Sequence, residues 1–297
     1  MEQRSTTAKG ARSSRSGRAT PPPAPAPHPA MVTFDLWNTV LQISPRAARR
    51  YEQEIERVWC EQVALWPLRH DLVRTPVPIE EAVAQTLRLV REHARGGKGL
   101  SIARRAGMVG EATGRIPQYQ RLERELERTL RGLPVRIAPG ARALLEELSR
   151  SGVQVGFVSN LMREPASVMR GLLAEHGLLR YADALALSEE LPWAKPSPRI
   201  FLHCLEAAGA PPSRAVHVGE APEDVEGAVA AGYRRVVRIL RSSPGPESAH
   251  GGGRRSPCAT EVTSAAQLRD LSVRLLLDEG GPSPARARAL GRSRATP

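Results

Sequence analysis

The sequence predicts an α/β protein: a parallel β-sheet covered by helices on both faces, interrupted early by an all-helical segment. Two observations carry this. After Pro139-Gly140, short runs rich in apolar and β-branched residues alternate with helical spacing, the pattern of strands joined by crossover helices. From residue 45 to about 133 the pattern is helical alone.

The elements follow in order. MVTFDLW (31–37) reads as a short buried strand. Helical spacing covers Ala47–Val63, Ile79–His93 and Pro117–Arg131, separated by Pro67, Pro76, Pro78 and the Gly96-Gly97-Lys98-Gly99 turn. That turn is no P-loop, because Gly99 rather than Ser or Thr follows Lys98. The third helix, RLERELERTLR, sets Glu and Arg three and four apart, which suits a solvated face. Beyond it come helix Ala141–Ser151, strand VQVGFVSN (153–160), helix Pro165–His176 and the short strand ALALSEE (184–190). Helix Pro198–Ala208, strand AVHVGE (215–220), helix Val225–Ala231 and strand RRVVRIL (234–240) continue the alternation. A low-complexity linker, residues 241–258, precedes a last short strand at EVTSA and a helix over Ala266–Asp278. Residues 1–30 and 280–297 read as disordered extensions, and Met31, where patterned sequence begins, is a second candidate start.

Charge excludes less than its size suggests. The chain has 297 residues and a formal net charge of +12, but residues 1–30, 241–260 and 281–297 carry +4, +2 and +4 of it. Basicity outside the patterned regions, without interleaved aromatics, predicts no specific nucleic-acid partner. Binding through the Arg-rich ends is the competing idea, tested by deleting them. Cys60, Cys204 and Cys258 have no paired spacing, so neither a disulfide framework nor a zinc ribbon is expected, and a cytoplasmic location is. No apolar run approaches the ~20 residues of a membrane span, and the polar, proline-rich start lacks the apolar stretch of a secretory signal.

Polar residues gather where the predicted strands end. Asp35, with Asn38 and Thr39 beyond it, closes the first strand; Ser159-Asn160 closes the second; Lys195 follows the third; Glu220 and Asp224 follow the fourth. Right-handed crossovers place these ends along one edge of a parallel sheet, where such sheets bind ligands. Lys195 is one of only three lysines, with Lys9 and Lys98, among 43 basic residues, so its place beside the acids is informative. His217, inside AVHVG, reads as a partnered strand residue rather than a ligand.

These motifs resemble those of the haloacid dehalogenase-like (HAD) hydrolase superfamily over residues 31 to 278: FDLWNT as the first, VSN as the second, WAKPSPRIF as the third and HVGEAPEDVEGAVAAG as the fourth. The resemblance implies a Rossmann-like core over 31–43 and 137–279, and a helical C1-type cap over 44–136 that closes on the site. It implies a hydrolase with Asp35 as nucleophile, Lys195 as its electrostatic partner and Ser159 binding the transferred group. Trp37, Thr39 and Asn160 would line the substrate, and Mg²⁺ would be held by Asp35, the Trp37 carbonyl, Glu220 and Asp224. The basic cap, net +6 over 41–136, suits a small anionic, phosphorylated substrate. Two departures matter. Phosphatases of the superfamily carry a general acid/base Asp two positions after the nucleophile, where this chain has Trp37; members that displace halide have Tyr there. Glu220 stands in place of the commoner Asp. The alternatives are therefore carbon–halide hydrolysis, or an impaired scaffold with a binding or regulatory role.

Overall fold

A computed structural model describes residues 29–70, 75–239 and 259–262. Six strands form one sheet: β1 (Met31–Phe34), β4 (Gln154–Ser159), β5 (Ala184–Leu187), β6 (Ala215–Gly219), β7 (Arg235–Ile239) and β8 (Ala259–Val262). Their order is β5-β4-β1-β6-β7-β8 and every neighbouring pair is parallel. β1 lies at the centre, with Phe34 opposite Phe157 on one side and Val218 on the other. The order reverses at β1, so the crevice outside its C-terminal end is where a sheet of this kind admits a ligand.

Alternation along the strands divides the core between the two faces. Val32, Phe34, Val155 and Phe157 join one cluster with residues of α5 (Ala141–Arg150) and α6 (Ala166–Glu175). Met31, Val158, Ala184 and Ala186 join another with residues of α7 (Pro198–Ala208) and α8 (Pro222–Ala230). The α/β architecture with helices on both faces is thus as expected.

The strand expected over 31–37 stops at Phe34. Beyond it the backbone folds into a tight loop in which Leu41 N–H donates to the Leu36 carbonyl (2.8 Å) and Asn38 N–H to that of Leu41 (2.7 Å). Two elements too short for any periodicity follow from that loop: β2 (Leu41–Gln42) and β3 (Arg136–Ile137) pair antiparallel, with Leu41 opposite Ile137. Between them lie α1 (Pro45–Ala64), α2 (Ile79–Arg95), α3 (Ile102–Thr113) and α4 (Tyr119–Leu130). α1 starts at Ser44, whose hydroxyl accepts from Ala47 N–H, with Pro45 at the first helical position. α4 buries Leu122, Leu126 and Leu130, and its Glu and Arg residues occupy the other faces.

α3 was not expected, because Gly107 and Gly110 lower its helix propensity. Packing decides otherwise: a Cβ on Gly110 would stand 2.6 Å from Pro117 Cγ, so glycine permits the close approach of the following chain. The last strand begins at Ala259, two residues before the expected EVTSA. The expected linker over 241–258, the helix over 266–278 and the tail over 280–297 lie outside the described residues, as does the extension up to residue 28.

The inserted helices are stitched to the segment that delivers Lys195. Gly99 N–H donates to the Pro192 carbonyl (3.1 Å) and Ala194 N–H to the Gly97 carbonyl (3.0 Å), with Lys98 bridged to Trp193 between them. A Cβ on Gly99 would fall 2.0 Å from the Leu191 carbonyl oxygen and 2.3 Å from that of Ser188. Neither backbone atom can step aside cheaply. Gly99→Ala should cost about 1–3 kcal/mol of stability, the range of overpacked positions, as read by urea unfolding.

Candidate active site

The strand ends converge on one ammonium group. Asp35 leaves β1 with its N–H donating to the Val218 carbonyl of β6 (2.9 Å), which turns its side chain into the crevice. Lys195 Nζ donates to Asp35 Oδ1 (2.5 Å) and to Asp224 Oδ1 (2.6 Å). All three are buried, at 6 %, 3 % and 0 % exposure for Asp35, Lys195 and Asp224. Burial opposes the charge on Lys195, but Asp224 and Asp35 outweigh it and hold its pKa above the ordinary value. Asp224 stays below the usual carboxylate range because Lys195 and His217 overcome its own burial. Asp35 is pushed up to about 7, chiefly by burial and further by the charge of Asp224, against the pull of Lys195.

Each member of this trio is held from behind. Asn160, at the end of β4, clamps the Lys195 backbone: its Oδ1 accepts from Lys195 N–H (2.8 Å) and its Nδ2 donates to the Lys195 carbonyl (3.0 Å). Asn160, expected to line the substrate, bonds the lysine backbone through both of its polar atoms. Thr39 Oγ1 donates to Asp35 Oδ2 (3.2 Å), so it holds Asp35 directly. Asp224 Oδ2 accepts from Ala221 N–H at the start of α8 (3.0 Å). Gly219 makes this possible, since a Cβ there would stand 2.4 Å from Asp224 Cγ.

His217 is partnered, as its place in the strand suggested. Its Nε2 lies 3.3 Å from Asp224 Oδ1 and its Nδ1 2.9 Å from Thr33 Oγ1, which is 3.2 Å from the Tyr233 hydroxyl. A carboxylate only accepts, so Nε2 carries the ring proton and Nδ1 accepts from Thr33. Burial lowers the pKa of the imidazole and keeps it neutral.

Ser159 ends β4 fully buried, and its hydroxyl has no hydrogen-bond partner among the described residues. Trp37 is half-buried; its indole N–H donates to Glu164 Oε1 (2.8 Å) and its ring lies 6.2 Å from that of Tyr51. Asn38 sits at φ 60°, a left-handed conformation that Asn tolerates, and its Nδ2 donates to Glu220 Oε1 (3.2 Å).

Hard-cation donors are present in part. Asp35 and Glu220 terminate neighbouring strands, and Asn38 draws Glu220 to the loop that carries Asp35. These two carboxylates, with the Trp37 carbonyl, suit the oxygen preference of Mg²⁺. Asp224, expected as a third ligand, faces Lys195, His217 and the Ala221 amide and has no exposed surface. Among the described residues no three His, Cys, Asp or Glu side chains cluster as a metal site.

Three buried polar residues around the site carry no motif signal. Glu189 Oε1 accepts from Ile102 N–H at the start of α3 (2.7 Å) and its Oε2 from Ala166 N–H at the start of α6 (3.0 Å), joining the insertion to the core. Arg105 donates to the carbonyls of Leu100, Leu161 and Met162 at the same seam. Glu164 is the third. In sequence, Glu164 and Glu189 look like any acid near a helix start.

Residues 30–232 match the family model of the haloacid dehalogenase-like hydrolases, and the chain belongs to that family. A phosphoglycolate phosphatase of Pseudomonas syringae pv. syringae is 32% identical over 101 residues, 34% of this chain and 36% of the relative, so the chain spans about a third of that protein. One from Pseudomonas fluorescens is 27% identical over 213 residues, 70% of this chain and 69% of the relative. The crystal structure of a 2-haloacid dehalogenase from Pseudomonas syringae pv. Tomato is 26% identical with a TM-score of 0.54, covering 82% of this chain and 98% of that one. No helix among the described residues is long and apolar enough to cross a membrane.

Two outcomes follow from the shared ammonium. Lys195→Met leaves two buried carboxylates facing each other and should destabilise the fold by about 3–5 kcal/mol in urea unfolding. Asp35 binds its proton more tightly when folded, with a pKa of about 7 against 3.8 for the free group. Its contribution to stability is therefore full below pH 3.8 and lost as pH rises through 7. Asp35→Asn should flatten that fall when unfolding free energy is followed against pH.

Proposed function

We propose that this hydrolase works through a covalent aspartyl intermediate formed by Asp35 on a small anionic substrate, a phosphate ester first. The observation that carries the reading is the Lys195 ammonium fixed between Asp35 and Asp224. It pulls Asp35 toward the carboxylate against the upward push of burial and offsets the charge that gathers when an anionic group approaches. The phosphatase relatives support the phosphate ester.

An Asp35 carboxylate oxygen attacks phosphorus, the bond to the leaving oxygen breaks, and an aspartyl phosphate forms. Trp37 has no proton to give at the ester oxygen, so the leaving alkoxide takes its proton from water. Water then adds at phosphorus and the acyl phosphate bond breaks, returning the Asp35 carboxylate and releasing phosphate. The unpartnered Ser159 hydroxyl is suited to donate to a phosphoryl oxygen. Thr39 holds Asp35 and Asn160 holds Lys195 through both steps. Mg²⁺, held by Asp35, Glu220 and the Trp37 carbonyl, would neutralise phosphoryl charge. The inserted helices would act as the cap over this crevice, with their net positive charge favouring an anion.

A second reading is favoured by Trp37 and by the likeness to the 2-haloacid dehalogenase. There Asp35 attacks carbon, halide leaves without needing a proton, and water hydrolyses the resulting ester. Turnover of phosphate esters and 2-haloacids, each with Mg²⁺ and with chelator, separates the two. Wild type should turn over one class and Asp35→Asn should lose at least ~10³-fold on it, as loss of a nucleophile does. Equal inactivity of both proteins on every substrate sinks the hydrolase mechanism and leaves the binding scaffold.

A further inference from the structure

Trp37 and Glu164 meet from loops 127 positions apart in sequence. The Glu164 carboxylate is 3 % exposed, accepting the indole N–H at 2.8 Å on Oε1 and the Arg163 backbone N–H at 3.2 Å on Oε2. The Arg105 guanidinium feels the Glu164 charge, and the same carboxylate adds to the burial that pushes the Tyr51 hydroxyl up. Arg163 pairs with Glu52 at 3.5 Å, and Arg105 donates to the carbonyls of Leu100, Leu161 and Met162. A buried carboxylate needs hydrogen-bond partners to offset its lost hydration, and the Trp37 indole N–H is one of those that Glu164 has. That bond fixes one ring. The indole is hydrogen-bonded at its nitrogen and packed on Tyr51, two residues from the Asp35 carboxylate.

We propose that Glu164 is the positioning residue for Trp37: it holds the indole as a fixed wall beside Asp35 and bars a second carboxylate from position 37. The acid/base Asp of the superfamily's phosphatases is then not merely missing here. Position 37 and position 164 form a unit, and an Asp introduced at 37 meets a buried negative charge at 164. Glu164 does not replace the lost acid, because its oxygens already serve the indole and the Arg163 amide. For the reaction proposed above, on which this consequence rests, position 37 gives the leaving group no proton, so leaving groups that are more stable as anions turn over faster.

The test needs no substrate. Urea unfolding at pH 7 compares Trp37→Asp with Trp37→Asn, which lose the same packing and differ in charge, in wild-type and Glu164→Gln backgrounds. With Glu164 present, Trp37→Asp should raise the unfolding constant at least tenfold more than Trp37→Asn; with Gln at 164 that excess should vanish. Equal effects beside Glu164 overturn the proposal. Should either variant fail to fold, hydrogen exchange at the ¹⁵N-labelled indoles decides, with the Trp37 signal among four assigned by Trp37→Phe. Glu164→Leu should speed exchange at Trp37 at least tenfold, and Glu164→Gln, which keeps an acceptor, should preserve protection. An unchanged rate in Glu164→Leu overturns the proposal as well. Loss of turnover in Asp35→Asn bears on the nucleophile alone, so the two readings fail separately.

Discussion

One ammonium shared by two buried carboxylates organises this molecule. Lys195, Asp35 and Asp224 come from three segments of the chain, and none is stable in its place without the others. Taking any of these charges out of water alone would cost several kcal/mol, which mutual attraction offsets only at close contact. The geometry that secures the contact reaches well beyond the trio. Gly219 lets Asp224 fold back beneath β6, Asn160 fixes the lysine backbone, and neutral His217 supplies a donor to Asp224 from the strand itself. The order of the sheet makes this possible, because β1 and β6 are neighbours and deliver Asp35 and the Asp224 turn side by side.

The same constraint ties the inserted helices to the core. The Gly97–Gly99 turn pairs with residues 192–194, immediately before Lys195, and Glu189 ties the starts of α3 and α6 together. A movement of the insertion relative to the core is thereby coupled to the backbone that carries the lysine. The turn whose glycines and lysine superficially resemble a phosphate loop has this different use: its last glycine is there because three carbonyl oxygens crowd it.

Trp37 changes the chemical balance of an otherwise familiar constellation. It puts an indole two positions after Asp35, and Glu164 and Tyr51 give the ring a defined place. A degenerate site would leave such a residue loosely packed. Here its indole N–H is bonded to a buried carboxylate.

Sequence alone determined the alternation of strand and helix, the parallel sheet and the segments at or after its strands that carry Asp35, Ser159, Lys195, Glu220 and Asp224. These follow from local periodicity and from the crossover rule, which act without knowledge of distant contacts. The helix at 102–113 was hidden because its glycines lower local propensity, and only packing against Pro117 reverses that. The two-residue strands at the base of the insertion are too short to show any period. Within the site, residue types and order were legible but the division of labour was not. Tertiary structure turned Asn160 toward the lysine backbone, set Asp224 against Lys195, His217 and an amide, and brought Glu164 to Trp37. Hydrogen-bond partners are chosen by proximity in space, and residues 35, 160, 195 and 224 become neighbours only once the sheet has formed.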